Sequence, residues 1–174
     1  MKEGRPKIYE KYPFWMVVVV NILMLAVYVA GAYIMFKLNL ITGILYVIYF
    51  LILEFQLYKE ACTSCCYYDR LCAFGKGVIA SLFFKKGDPK KFGERELSFK
   101  DMIPQLLVVL IPLAIGVALL VSRGFDVLIL IAMLYPVFSW VCLNQIIYGK
   151  LACIHCKQGS ICCPALKFFA KKKK

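Results

Sequence analysis

The sequence predicts an all-α integral membrane protein: four transmembrane helices forming two repeated antiparallel hairpins, each followed by a cytoplasmic Cys-rich segment. Three observations predict this. Four apolar runs have bilayer length, tight turns join them in pairs, and nearly all the positive charge lies outside those turns.

The first run, Phe14 to Phe36, holds 23 residues and no formal charge. At a rise of about 1.5 Å per residue it reaches roughly 34 Å, enough for a hydrocarbon core of about 30 Å. The second runs over about 40–58, the third over about 102–121 and the fourth over about 127–148. Each reads as a helix, because a spanning segment in lipid must satisfy its backbone hydrogen bonds internally. Only Lys37, Leu38 and Asn39 separate the first two runs, and Ser122 to Asp126 separate the last two. Turns that short force antiparallel neighbours. Pro104 is expected in the first turn of its helix, where a missing N–H costs nothing. Pro112 and Pro136 are expected to kink theirs.

Charge sets the orientation. The chain carries 22 Lys and Arg against 10 Asp and Glu, a formal net charge of +12. The two tight turns hold only Lys37 and Arg123, which leaves 20 basic residues in the N-terminal segment, the central loop and the C-terminal segment. The positive-inside rule then puts both termini and the central loop in the cytoplasm of a multi-pass cell-membrane protein. Tyr9, Tyr12, Trp15, Tyr58 and Tyr148 fit interfacial anchors at that face. Ala30-Gly31-Ala32 resembles a signal-peptidase site, but the apolar run is too long for a signal peptide and continues past it.

Two halves repeat one plan, residues 1–101 and 102–174. Each has a hairpin, a cysteine segment and an aromatic-basic segment. Tyr58-Lys59-Glu60-Ala61-Cys62-Thr63-Ser64-Cys65 stands beside Tyr148-Gly149-Lys150-Leu151-Ala152-Cys153-Ile154-His155-Cys156. Ser81-Leu82-Phe83-Phe84-Lys85-Lys86 finds its echo in Leu166-Lys167-Phe168-Phe169-Ala170-Lys171-Lys172. Such halves share one orientation and can be related by an axis along the membrane normal. The aromatic-basic segments suit the headgroup boundary, with phenylalanines entering it and lysines meeting anionic lipid. The bilayer therefore accounts for the basic excess without nucleic acid.

The chemistry lies in the cysteines. Eight of nine fall in two groups: Cys62, Cys65, Cys66 and Cys72, then Cys153, Cys156, Cys162 and Cys163. Cys142 lies alone in the fourth run and reads as a small apolar residue. Structural disulfides are disfavoured in a reducing cytosol, where clustered cysteines bind metal or do redox work. Cys-x-x-Cys brings two thiols together from one turn, and four thiolates suit Zn²⁺ or an iron–sulfur cluster. Lys59, Arg70, Lys76, Lys150 and Lys157 would offset the site's negative charge. Adjacent cysteines do not readily share an ion, so the ligands are either three per group or shared between groups. Cys163-Pro164 matches the end of a ferredoxin motif, but the upstream spacing is wrong. His155, the only histidine, is a further candidate ligand and excludes a bis-histidine haem. Reversible thiol chemistry, palmitoylation beside the helices and inert packing are the other readings.

Glu54 is the one acidic residue inside a run. Near the interface, it is expected in an ion pair with Lys59 or in contact with water. No catalytic Ser-His-Asp set or carboxylate pair assembles, and Gly75-Lys76-Gly77 lacks the rest of a phosphate-binding loop. The sequence thus points to a binding module rather than an enzyme: Zn²⁺ or an iron–sulfur cluster on the eight clustered cysteines, serving scaffolding, electron transfer or metal sensing. A membrane or cytosolic protein would be the partner. A soft-metal transporter and a membrane thiol oxidoreductase are the alternatives.

Overall fold

Long apolar sequence gives long helices, and they form here, even through the prolines within Phe99–Arg123. The computed structural model describes residues 8–94 and 99–162. Helix α1 runs over Phe14–Leu38 and α2 over Leu40–Leu57, with Asn39 between them. The Asn39 side-chain oxygen accepts the Ile41 N–H at 3.0 Å, which caps α2 at its start. α2 then passes into a π turn at Tyr58–Cys62. Next come α3 (Lys76–Phe83), α4 (Pro89–Glu94) and α5 (Phe99–Arg123). α6 (Val127–Phe138) begins at Asp126, whose carboxylate accepts the N–H groups of Leu128 and Ile129. The chain continues through a π turn (Ser139–Leu143), the short α7 (Asn144–Ile146), a second π turn (Ile147–Ala152), a 3₁₀ turn (Cys153–His155) and α8 (Lys157–Cys162).

Three of these stretches, Phe14–Leu38, Leu40–Cys62 and Ile103–Arg123, are long and apolar enough to cross a membrane. No more than 22% of each is buried inside the protein. Side chains such as Ile22, Leu25, Leu45, Ile52 and Val121 face outward. Apolar surface on that scale calls for lipid rather than water. The chain is thus helical and multi-pass in character. The fourth run is apolar over Val127–Cys142 but shorter. Its regular part, α6, has 12 residues and so reaches only about 18 Å before the hydrogen-bond pattern changes at Ser139.

Proline placement differs from expectation in one respect. α5 starts at Phe99, so Pro104 lies inside the helix rather than in its first turn. Pro112 deprives the carbonyl four residues before it, that of Val108, of its usual donor. The Tyr46 hydroxyl donates to that carbonyl at 3.0 Å. Tyr49 donates to the carbonyl of Pro104 itself at 2.9 Å, adding a second tie between α2 and α5. Gly31 makes the first of these possible: a Cβ there would stand 2.2 Å from the Tyr46 oxygen.

The chain divides into two units. The described residues of one are 22–56 and 99–143. Its core packs Ile34, Leu119, Ile129, Ala132 and Met133 in one cluster, and Met35, Tyr46, Leu53 and Val108 in another. The described residues of the other are 8–21, 57–94 and 144–162. Each sequence half contributes to both units.

Candidate thiol cluster

The second unit joins short helices through turns, and cysteines stand at several of those turns. After the π turn at Tyr58–Cys62, the Cys65 N–H reaches the Cys62 carbonyl at 3.3 Å. In the other segment the Cys156 N–H reaches the Cys153 carbonyl at 3.2 Å. Both Cys-x-x-Cys motifs therefore close the same tight turn, each just after a π turn. The Gly75 N–H donates to the Cys72 carbonyl at 2.9 Å. Asp69 adopts φ 61°, a left-handed conformation that Asp tolerates. Its N–H bonds the Gly77 carbonyl, and Ser81 donates to its carboxylate at 3.0 Å. Gly77 must be glycine for contact reasons: a Cβ there would lie 2.0 Å from the Tyr67 carbonyl oxygen and 2.5 Å from that of Arg70.

Thiols from both segments meet on one core. Tyr12, Met16, Val17, Tyr67, Ala73 and Ala152 are buried together, and Cys65, Cys66, Cys72 and Cys156 pack half-buried against them. Polar ties join the segments. The Cys66 N–H donates to the buried Gln158 side chain at 2.8 Å, across 92 residues of sequence. The Tyr12 hydroxyl donates to the Ala152 carbonyl at 2.6 Å. The Tyr67 hydroxyl donates to the Tyr9 carbonyl and accepts the Lys157 N–H at 3.0 Å. Tyr9 also forms a parallel bridge with Cys156, donating its N–H to the His155 carbonyl at 3.0 Å. Lys157 pairs with Glu10 at 3.2 Å.

Burial sets the electrostatics. It pushes the Cys65 thiol well above the ordinary thiol range, opposed by a backbone hydrogen bond from Tyr67 and reinforced by Cys66, Cys156 and Cys72. Tyr12 is raised by burial first, then by Cys156, Tyr67, Cys153 and Cys72. Burial raises Tyr67 to about 12, partly offset by the hydrogen bond from Lys157. The shared apolar setting thus favours the protonated forms of Cys65, Tyr12 and Tyr67.

The predicted ligands divide accordingly. Cys65, Cys66 and Cys72 come together with Cys156 on one core. Cys62 and Cys153 are half-buried at the starts of their turns. The Cys162 side chain and all of Cys163 lie outside the described residues, as does the second aromatic-basic echo. None of the seven cysteines described is in a disulfide, and Cys142 is exposed. The His155 ring packs against Tyr9, with centroids 4.8 Å apart. Among the described residues no three His, Cys, Asp or Glu side chains stand in ion-holding geometry. Asn21 donates to the carbonyls of Val17 and Phe74 at 2.7 and 3.1 Å. Glu54, in the helical unit, accepts the Tyr28 hydroxyl at 2.8 Å.

Sequence reading missed the residues that join the segments. Tyr12 reads from sequence as an interfacial anchor, and Tyr67 and Gln158 carry no assignment there. A tyrosine pair between cysteines, Tyr67-Tyr68, was the available cue. No family model matches the chain, and neither a curated protein nor a solved structure matches it.

Proposed function

We propose that this chain is a membrane-embedded binding module whose thiol-rich unit takes a soft cation, Zn²⁺ or an iron–sulfur cluster, with ligands drawn from both cysteine segments. The observation that carries the reading is the packing of Cys65, Cys66 and Cys72 with Cys156 on one core. Sharing between segments removes the difficulty of adjacent cysteines, since each segment needs to supply only some of the thiolates. A single ion asks less rearrangement of a packed core than a cluster does, so Zn²⁺ is the first candidate. Cys62, Cys153, Cys162 and Cys163 complete the pool of ligands.

Binding would displace the protons that burial now favours, so uptake would release protons and strengthen with pH. The same burial counts against Cys65 as the nucleophile of a thiol oxidoreductase, because a nucleophilic cysteine needs an accessible thiolate. The distribution of basic residues supports a cytoplasmic, reducing location for both segments. Exposed Leu82 and Phe83, followed by exposed Lys85 and Lys86, support contact between α3 and anionic lipid. A metal-bound unit would then offer a rigid surface to a membrane or cytosolic partner.

Elemental analysis of the purified full chain in nanodiscs tests this directly. We expect near-stoichiometric Zn²⁺ or iron, lost from both Cys65→Ser and Cys156→Ser. Folded protein purified anaerobically without metal would defeat the reading. Retention of full metal by Cys156→Ser would defeat the shared ligand set. Metal flux into proteoliposomes would move the assignment to a transporter.

A further inference from the structure

The helical unit has a polar feature that the thiol chemistry does not use. Its two tight turns meet where the Arg123 guanidinium donates through Nη1 to the Lys37 carbonyl at 2.8 Å. The Lys37 ammonium stands 3.8 Å from the Asp126 carboxylate and 5.5 Å from the centre of the Tyr33 ring. Beside them opens a cavity of about 440 Å³, lined by Lys37, Arg123, Gly124, Phe125 and Asp126 together with Val127 and Ile129. The N–H groups at the start of α6 are taken by Asp126, so they offer little to a ligand. What remains is two cations against one carboxylate. The Lys37 and Asp126 side chains are 44% and 36% exposed, so water and ligand reach them.

The surroundings specify the ligand. Phe125 and Val121 are strongly exposed, as are Leu40 and Val127. A site with excess positive charge at the ends of helices built for lipid, on the face that the positive-inside reading turns away from the cytoplasm, and rimmed by bare apolar side chains, matches an anionic headgroup attached to acyl chains in that leaflet. Arginine suits the phosphate because its planar fork carries five donors, of which one is spent on Lys37. We propose that this cradle binds the phosphate of an anionic phospholipid, with Lys37 and Arg123 as the phosphate-binding residues and Asp126 as the competing anion. The shared chemistry is a phosphate oxyanion, which a lipid or dissolved phosphate can present. The proposal does not depend on metal binding.

The test uses the full chain in nanodiscs. Trp15 and Trp140 are the native tryptophans, so W15F/W140F with F125W places one indole at the cavity. Quenching by dibrominated phosphatidylglycerol is compared with quenching by dibrominated phosphatidylcholine. We expect the anionic lipid to associate about fivefold more strongly per contributing basic residue, and K37Q/R123Q to abolish the preference. D126N separates binding from simple stapling of the turns. Asn still caps a helix, and loss of the carboxylate frees Lys37 and removes the competing negative charge beside Arg123, so the preference should rise. Equal quenching by the two lipids, or a preference unchanged or lowered in D126N, overturns the proposal. Loss of the preference on adding millimolar inorganic phosphate would overturn the lipid as ligand in favour of the dissolved ion.

Discussion

The two units use tyrosine hydroxyls for opposite purposes. In the helical unit the backbone satisfies itself, and Tyr46 and Tyr49 donate to carbonyls on a helix interrupted by proline. In the thiol-rich unit the helices are short and broken by turns, and Tyr12 and Tyr67 tie together segments far apart in sequence. The first use repairs a structure that apolar sequence already specifies. The second creates a structure that local sequence does not specify. Stability in the thiol-rich unit should therefore depend on single groups far more than stability in the helical unit does.

Alkaline pH should break the symmetry most strongly. Cys65, Tyr12 and Tyr67 all have folded values raised above the unfolded values of 9.0 for the thiol and 10.0 for the phenols. The folded state keeps protons that the unfolded chain loses, so stability is full below about pH 9 and falls as pH rises beyond it. Hydrogen exchange on chelator-treated protein should show residues 57–94 and 144–162 losing protection first, while α1 beyond Asn21 and α5 keep theirs. Simultaneous loss in both units would refute the contrast.

Gly77→Ala comes next. A methyl group forced against two backbone oxygens should cost about 3 kcal/mol, at the upper end of single substitutions. A melting temperature within a degree or two of the parent would show that the loop simply moves aside. Tyr67→Phe removes one hydroxyl that serves both Tyr9 and Lys157, and about 2 kcal/mol should follow. The accompanying sign is faster exchange at the Lys157 amide; unchanged exchange there would deny the tie. Tyr46→Phe should be mildest, roughly 0.6 kcal/mol, as for hydrogen bonds inside membrane proteins generally. If Tyr46→Phe costs as much as Tyr67→Phe, the distinction between repair and construction fails.

The helices were legible because their physics is local. Residues 14–38 and 40–57 contain little that would stop a helix, and their composition announces lipid. The tight turns were legible too, since Asn39 and Gly124 are the residues such turns select. Helix ends were less so: α5 begins before its apolar run, which drew Pro104 inward, and the fourth run changes helical type at Ser139. In the thiol-rich unit the Cys-x-x-Cys turns were readable from spacing. The joining of the two segments was not, because Gln158, Tyr12 and Tyr67 acquire their roles only from partners far along the chain.

The sequence by itself determined the apolar helices and which residues carry distinctive chemistry, because hydropathy and residue type act over a few turns of chain. Only the tertiary structure decided which thiols share a core, which carbonyls the tyrosines serve, and that Lys37 and Arg123 flank one cavity. Those outcomes depend on side chains meeting across dozens of residues, and nothing in the local spacing records which pairs will meet.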